Sequence, residues 1–439
     1  MEDPETNVES SVAPERRNRS CEVLRNRDFL IYLIGRFFAS MGQQMLVFAI
    51  IWEINRRTNS AFALGFIGLA FMIPMVACTL PAGHVADNFN RKRIILLMTL
   101  ALSLASLGLA LISYLNAPVI WVYACLVLVG AARTFLWPAS AAFLPHIVPR
   151  PMFAQAVAFN SGTFQLSSII GPGIAGVLTA WLESRMAHPA AVIYLFNAAA
   201  SLICFILVML IRSEHRVKER TAISFRNLGT GFGFVFQNRI ILGTISLDMF
   251  AVLLGGATVL LPIYATDILN VGTRGLGWLQ MAMPIGAVAC TAVIAVLPPM
   301  KKAGRAMLWS VAIFGLSTIV FGLGKTFWVC FTALFVCGAV DNVSVIVRQT
   351  LVQILTPDEK RGRVSAVNSL FIGTSNQLGD FESGMVAGLF GTAMGHSKAF
   401  GAVFSVVSGG IGTILVVIAV ALIWPEIRRY GRLDSGAKA

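Results

Sequence analysis

The chain has 439 residues, of which 56% are hydrophobic and only 13% charged, and its mean hydropathy is +0.76. An average soluble chain carries about a quarter charged residues, so this composition excludes disorder and an ordinary water-soluble domain. The net charge of +13 invites a nucleic-acid reading, which the positions of the basic residues decide.

Residues 1–28 are polar and mixed in charge, with no apolar core ahead of a small-residue cleavage site. No cleaved signal peptide is expected, and the first apolar run is retained. Twelve runs able to cross a hydrocarbon core of ~30 Å then follow. They lie at 29–52, 61–83, 94–115, 119–138, 157–181, 190–211, 240–264, 276–297, 305–323, 326–348, 364–391 and 399–424. The longest polar interruption, 212–239, falls after the sixth. The expected fold is therefore all-α and integral to the membrane: twelve transmembrane helices in two pseudo-symmetric six-helix bundles, 29–211 and 240–424. The interruption reads as a linker, and 1–28 and 425–439 as tails.

The 34 lysines and arginines alternate with the loops. Only Arg56, Arg57, Arg185, Arg274, Lys325 and Lys398 fall on one set; most of the others fall on the opposite set and both tails. This is the positive-inside pattern, and it predicts that both termini and the linker are cytoplasmic. The basic excess then reads as a topology signal and a contact for anionic lipid headgroups, not as a nucleic-acid site. Six of the seven cysteines sit singly inside apolar runs and there is no CxxC pair, so they are expected to pack as small hydrophobes. Cys21 alone is flanked by polar residues.

The second half repeats the first. Gly130, Arg133, Pro149, Asn160, Ser161, Gly171 and Gly176 fall at one constant offset on Gly338, Asp341, Pro357, Asn368, Ser369, Gly379 and Gly384. At a nearly equal offset Asn26, Arg27, Arg36, Phe38 and Ala39 fall on Asn238, Arg239, Asp248, Phe250 and Ala251. Parallel repeats of this kind place a transport site between them. The register also pairs Arg36 with Asp248 and Arg133 with Asp341, a base in the first half against an acid in the second each time. A charge at a helix centre costs about 2.5–3.5 kcal/mol on the insertion scale, so all four should face protein or water. Two readings stay open: ion pairs that hold helices together, or a gate whose pairs exchange as the halves move.

Three local motifs stand out. Gly83-His84-Val85-Ala86-Asp87-Asn88-Phe89-Asn90-Arg91-Lys92-Arg93 follows the second run, a tight charged turn with Gly for close helix approach and a basic cluster. Gly171-Pro172-Gly173 with Gly176 combines a missing donor with close-packing glycines, and so bends a helix or packs it tightly. In the eleventh run, Asp380 and Glu382 lie two apart, about 200° around a helix, so both face one cavity only if the helix unwinds.

The turn resembles the signature loop between helices two and three of the major facilitator superfamily, with Gly83, Asp87, Arg91, Lys92 and Arg93 matching and Asn90 standing where glycine is usual. Lys301-Lys302-Ala303-Gly304-Arg305 resembles a degenerate second copy. Gly171, Pro172 and Gly176 resemble the helix-five element of antiporter-type members. The run from Ala132 to Leu178 is similar to the branch that contains the enterobactin exporter and macrolide efflux proteins. One departure is Trp137, which stands where the family's helix-four arginine is followed by glycine. It leaves open whether Arg133 is a proton-relay residue.

The resemblance implies a secondary active transporter, alternating between inward- and outward-open states in a bacterial-type cytoplasmic membrane and working as a monomer. Its expected cycle is proton-coupled export of an amphipathic small molecule such as a drug or siderophore. An importer or uniporter of a metabolite, lipid or metal ion on the same fold is the alternative, and a non-transporting receptor or scaffold is the rival from another class. The expected site residues are Arg36, Arg133, Asp248 and Asp341 for the gate, with Asp380 and Glu382 for proton coupling, Asp380 foremost. The loop is expected to bridge helices two and eleven through Asp87 and Arg91. No catalytic nucleophile with its base is found. His84 and Asp87 lack a third metal ligand, and Gly324-Lys325-Thr326 lacks the first glycine of a P-loop. No enzyme activity, metal or cofactor is therefore expected. The stretch Phe225 to Phe236 reads as an interfacial lead-in to helix seven.

Overall fold

The computed structural model describes residues 22–212, 232–256, 258–298, 300 and 302–431. Cys21, Lys301, most of the two tails and most of the expected linker lie outside the described residues. All regular structure among the described residues is helical. The twelve long helices are α1 (Arg27–Thr58), α2 (Ala61–Asn88), α3 (Arg91–Tyr114), α4 (Val119–Ile147), α5 (Phe153–Glu183), α6 (Pro189–Leu210), α7 (Arg239–Gly255), α8 (Gly272–Val296), α9 (Ala303–Leu323), α10 (Phe327–Leu355), α11 (Asp358–Phe390) and α12 (Lys398–Ile423). Eleven stretches are long and apolar enough to cross a membrane. The exception is α11, whose middle carries Asn368, Thr374, Ser375, Asn376 and Gln377.

Local chemistry sets the helix starts. Asn26 accepts from the Asp28 and Phe29 N–H groups at the head of α1, and Asn238 does the same for Ile240 and Ile241 at the head of α7. These are repeat-related N-caps, each satisfying donors that the first turn leaves orphaned. Pro149 and Pro357 share one backbone conformation, φ −58° with ψ 143° and φ −57° with ψ 146°, ahead of α5 and α11.

Packing follows the same register. In the first half α1 lies against α5 and α6, α2 against α4, and α3 against α4 and α6; in the second α7 lies against α11 and α12, α8 against α10, and α9 against α10 and α12. Two seams join the halves, α2 on α11 and α5 on α8. Both use glycine. A Cβ at Gly65 would sit 3.0 Å from the Cα of Gly384, and one at Gly176 would sit 2.9 Å from the Cα of Gly277, so these backbones touch.

The glycine contacts of these two seams lie toward one end of the molecule, the end that holds the α1–α2 and α7–α8 junctions. Toward the opposite end a Cβ added at Gly83, Gly162 or Gly362 would meet no neighbouring element within 4 Å. Among the described residues the seam glycines thus join the halves at one end, the closed end, and not at the other, the open end.

Several boundaries differ from the sequence expectation, α4 for instance running on to Ile147. The seventh run is not one helix: α7 stops at Gly255, and the chain resumes as short turns, Thr258–Leu260, Leu261–Ile263 and the π-helical Tyr264–Ile268. Adjacent glycines with Gly256 at ψ 80° end the helical ladder there. Helix α10 runs seven residues past the expected end, to Leu355.

Candidate transport site

The break in α7 lies beside α11. Gly379 lets α11 approach so closely that a Cβ there would meet the Val252 carbonyl at 2.8 Å. Ser383 donates to the Gly256 carbonyl at 2.8 Å, satisfying an acceptor that the broken ladder has released, and the Ser383 carbonyl accepts from Ser405 of α12 at 2.9 Å. Asp380 completes the joint. Its carboxylate accepts from the Thr258 hydroxyl at 3.1 Å and from the Val259 N–H, so a side chain of α11 caps the turn at which the seventh segment restarts.

Asp380 also faces a cavity of about 110 Å³, which Asp341 of α10 and Asn376 of α11 enter as well. Its walls include Met283, Phe314 and Phe321. Two carboxylates in one apolar chamber repel each other unless a proton or cation lies between them. Glu382 is not part of this lining. It shares an α11 face with Leu389, which is 47% exposed, and its neighbour is the Ser383 hydroxyl. The helix stays wound from Asp358 to Phe390, so the two acids point apart.

The four residues expected to form one gate are not brought together. Asp248 forms a buried ion pair with Arg348 of α10, inside its own half, and among the described residues neither Arg36 nor Arg133 pairs with Asp248 or Asp341. Arg36 sits beside Tyr32 and Cys204, and its Nε has no hydrogen-bond partner. Arg133 is exposed and stands beside Phe71 of α2. Its guanidinium lies 5.7 Å from the Phe71 ring centroid.

The signature turn is anchored within the first half. Arg91 donates to the Ala86 and Ala142 carbonyls and lies 2.8 Å from His146 Nε2, tying the end of α2 to the end of α4. Lys92 donates to the Met209 and Ile211 carbonyls, placing a cation at the C-terminus of α6. Asn90, in the usual glycine position, is the N-cap of α3. Asp87 and Arg93 are exposed. With this end open, Arg91 reaches α4 rather than α11. In the helix-five motif, Gly171 packs on Gln44 and Met41 of α1, Gly173 on Met281 of α8, and Gly176 on Gly277, so the motif spans a contact within the half and a seam between halves.

Two functional candidates escaped the sequence reading. Arg348 closes the tenth apolar run of the sequence, yet it is only 2% exposed; its spacing of seven from Asp341 is the available signal. Lys398 was counted as a loop cation. It is buried, donates to Asn55 and Asn59 of α1 at 3.2 and 2.5 Å, and pairs with Asp267 at 2.9 Å. It ties the two halves at the closed end. Asn59 stands in the left-handed region at φ 48°, a conformation asparagine tolerates better than most residues, which helps to aim the turn at the lysine.

The comparisons with known proteins agree with this geometry. The sequence profile described as Major Facilitator Superfamily matches residues 32–379. Over 403 residues the chain is 25% identical to the "Enterobactin exporter EntS" of Escherichia coli O1:K1 / APEC, covering 92% of this chain and 93% of that protein. It has the same identity and coverage with the protein of that name from Shigella boydii serotype 18. Among solved structures, the nucleoside transporter NupG superposes with a TM-score of 0.71 at 12% identity, over 90% of this chain and 100% of that one. A bacterial homolog of the human lysosomal transporter Spinster, inward-facing and occupied, gives 0.67 at 14% identity, over 95% and 98%. At such identities these structures speak for the fold alone.

Proposed function

The chain belongs to the Major Facilitator Superfamily, and from that premise we propose that this membrane transporter is a proton-coupled exporter of an amphipathic small molecule. The carrying observation is the chamber holding Asp341 and Asp380 at the break of α7. One of its two acids directly caps the restarted segment, so occupancy of the chamber and the geometry of the gate share an atom. Protonating Asp380 removes its charge and weakens what it offers to Thr258 and Val259. The joint loosens, the α2·α11 seam loses a support, and the closed end is free to part. Release of the proton restores the cap.

Export is the direction favoured by the likeness to the enterobactin exporter, and a catecholate siderophore or a macrolide is the substrate class to test first. The basic turns support a cytoplasmic position for the open end; on that reading this conformation is the inward-open state in a bacterial inner membrane, and the working unit is a monomer. In this reading Arg133, beside Phe71, offers an anionic or aromatic substrate a cation in the first half.

The test is uptake into proteoliposomes under an imposed pH gradient, with enterobactin and erythromycin as probes. Accumulation that collapses with a protonophore supports the reading. Equilibration without accumulation identifies a uniporter and ends the coupling proposal.

A further inference from the structure

A second cavity, remote from the transport chamber, lies at the open end where α9 begins. It measures about 410 Å³ and is lined by Arg305, Leu308, Trp309, Arg428 and Arg429. Three guanidinium groups of like charge share it. Among the described residues none of them has a carboxylate partner.

The fold builds this pocket. Arg428 and Arg429 end the short helix Pro425–Arg429, which cannot swing away because Ile427 is wholly buried beneath it. A Cβ at Gly304 would overlap the Ile427 carbonyl, and one at Gly243 of α7 would meet Trp424 at 3.1 Å, so glycines on α9 and α7 admit the helix. The Ala303 N–H donates to the Gly431 carbonyl at 3.1 Å and ties down the chain two residues past the helix. The helix has one acid of its own, Glu426, and Arg239 of α7 holds it at 3.5 Å. Among the described residues the positive charge of the pocket is therefore left uncompensated.

The apolar surroundings continue the site. From the pocket, Trp309, Ile313, Leu316, Val320 and Leu323 run down α9 at helical spacing, all exposed. Ile411, Leu415, Ile418 and Leu422 make a matching exposed stripe on α12, which packs against α9. A cationic pocket at the end of two apolar stripes has the pattern of a phospholipid, one anionic group above two chains. Guanidinium forks suit phosphate oxygens better than an ammonium does, and an exposed tryptophan suits the headgroup level.

We propose that this pocket binds an anionic phospholipid, its phosphate held by Arg305, Arg428 and Arg429 and its acyl chains lying along α9 and α12. Charge complementarity selects the occupant: a zwitterionic lipid brings its own cation to the arginines, and a soluble anion leaves the stripes uncovered. The bound lipid would fasten the end of α12 to the heads of α7 and α9.

The experiment uses the full chain, purified and delipidated in detergent, with dioleoylphosphatidylglycerol, dioleoylphosphatidylcholine and inorganic phosphate as separate probes in native mass spectrometry. Phosphatidylglycerol should be retained about tenfold more than phosphatidylcholine, and the variant Arg305→Gln/Arg428→Gln/Arg429→Gln should lose that preference. Equal retention of both lipids by the wild type, or an unchanged preference in the variant, overturns the proposal. So does displacement of phosphatidylglycerol by millimolar phosphate, which marks a free-anion site. If the variant does not fold, Trp309 quenching by brominated phosphatidylglycerol decides, with Trp309→Phe as background; quenching no greater than by brominated phosphatidylcholine overturns it. None of these residues lines the transport chamber, so failure here leaves the transport reading intact, and the proteoliposome assay tests that reading separately.

Discussion

Helices α1 and α7 hold matching places in the two halves, start on matching asparagine caps and pack on matching neighbours, yet one is continuous and the other is broken. α1 runs 32 residues from Arg27 to Thr58. α7 ends at Gly255 after 17. Beside the unbroken helix, the neutral pair Gln44 and Ser168 joins α1 to α5 at 2.8 Å; beside the broken one, the charged Asp380 and the hydroxyl of Ser383 join α11 to the gap. The seams differ in the same sense, because Asp380 replaces Pro172 in the repeat register. The contrast is one of chemistry: a neutral pair joins α1 to α5 in the first half, whereas the second half carries an ionisable group on its joint.

The largest effect should come from removing that charge. Asp380→Asn keeps an oxygen to accept from Thr258 and Val259 but cannot cycle a proton. Gradient-driven accumulation should fall below a tenth of wild type, as is typical when a positioned proton carrier contributes about 100-fold or more, while substrate exchange persists. Pro172→Ala, at the repeat-related site, should change accumulation little. Equal losses in both variants would show that the two seams are alike and that the contrast is one of sequence only. Glu382→Gln separates the acids further: because Glu382 lies outside the chamber, it should leave accumulation near wild type.

Much of this arrangement was legible in the sequence, for a physical reason. Lipid forces each crossing to be a long apolar helix with its backbone bonds satisfied internally, so helix number, the repeat and the seam glycines all leave marks. Even α11, too polar to qualify by hydropathy, was read as a span, and its polarity is explained by its position among α2, α7 and the chamber. What the sequence hid were the partners of charges. The repeat register set Arg36 against Asp248, but pseudo-symmetry makes positions equivalent without making them neighbours. Asp248 found Arg348, and Arg348 is interior because α10 continues to Leu355. The break in α7 was equally hidden, since Gly255 and Gly256 sit in an apolar run whose tertiary contacts decide whether it bends. Lys398 read as a loop cation because nothing in the local sequence announces that Asp267 and Asn59 will converge on it.

A second test asks what the buried charges of the two helices are worth. Asp248 is paired and Arg36 is not, so their replacements should differ. Arg348→Met strands a buried carboxylate, and its cost should be about 3–5 kcal/mol in unfolding free energy, with Asp248→Asn in the same background recovering part of it. Arg36→Met removes a cation with no acid partner and should cost less. The measurement is detergent-solubilised unfolding monitored by circular dichroism. If Arg36→Met costs as much as Arg348→Met, Arg36 has a partner in another state, and the gate of exchanging pairs regains support.

The seams come next. Gly384→Ala introduces a Cβ into the Gly65 backbone, and Gly176→Ala sets one 2.8 Å from the Thr273 carbonyl and 2.9 Å from the Cα of Gly277. Neither contact is with a flexible side chain that can yield. Overpacking of this kind costs about 1–3 kcal/mol, and in a two-state protein it is relieved by leaving the closed-end conformer. Both variants should therefore raise thiol labelling of a cysteine placed at Ala61, which is 2% exposed, and Gly384→Ala should also lower accumulation, because its seam holds Asp380. Equal labelling with unequal transport is the expected signature.

The smallest effect should be at the closed-end latch, where Lys398 joins the tail of α1 to the turn that ends the seventh segment. Lys398→Met loses two hydrogen bonds to asparagine and one ion pair, which would be severe in a dry site. Here the cost is limited: the Asp267 side chain is 32% exposed, and water takes the place of the ammonium once the lysine is gone. A buried pair leaves its survivor unsolvated, whereas a pair at the rim leaves it hydrated, so the expected loss is about 1 kcal/mol. Asn55 and Asn59 remain free to bond to water. The conformational effect is larger relative to that cost, because the latch exists only while the closed end is shut; its whole contribution favours one state. Labelling at the closed end should rise several-fold, roughly as 1 kcal/mol shifts a two-state ratio, with melting nearly unchanged. Adding Asp267→Asn to the lysine variant should produce little more, since each acts through the other. Additive effects in that cycle would mean that Asp267 holds α7 through some other contact, and that the two helices are not joined at their outer ends.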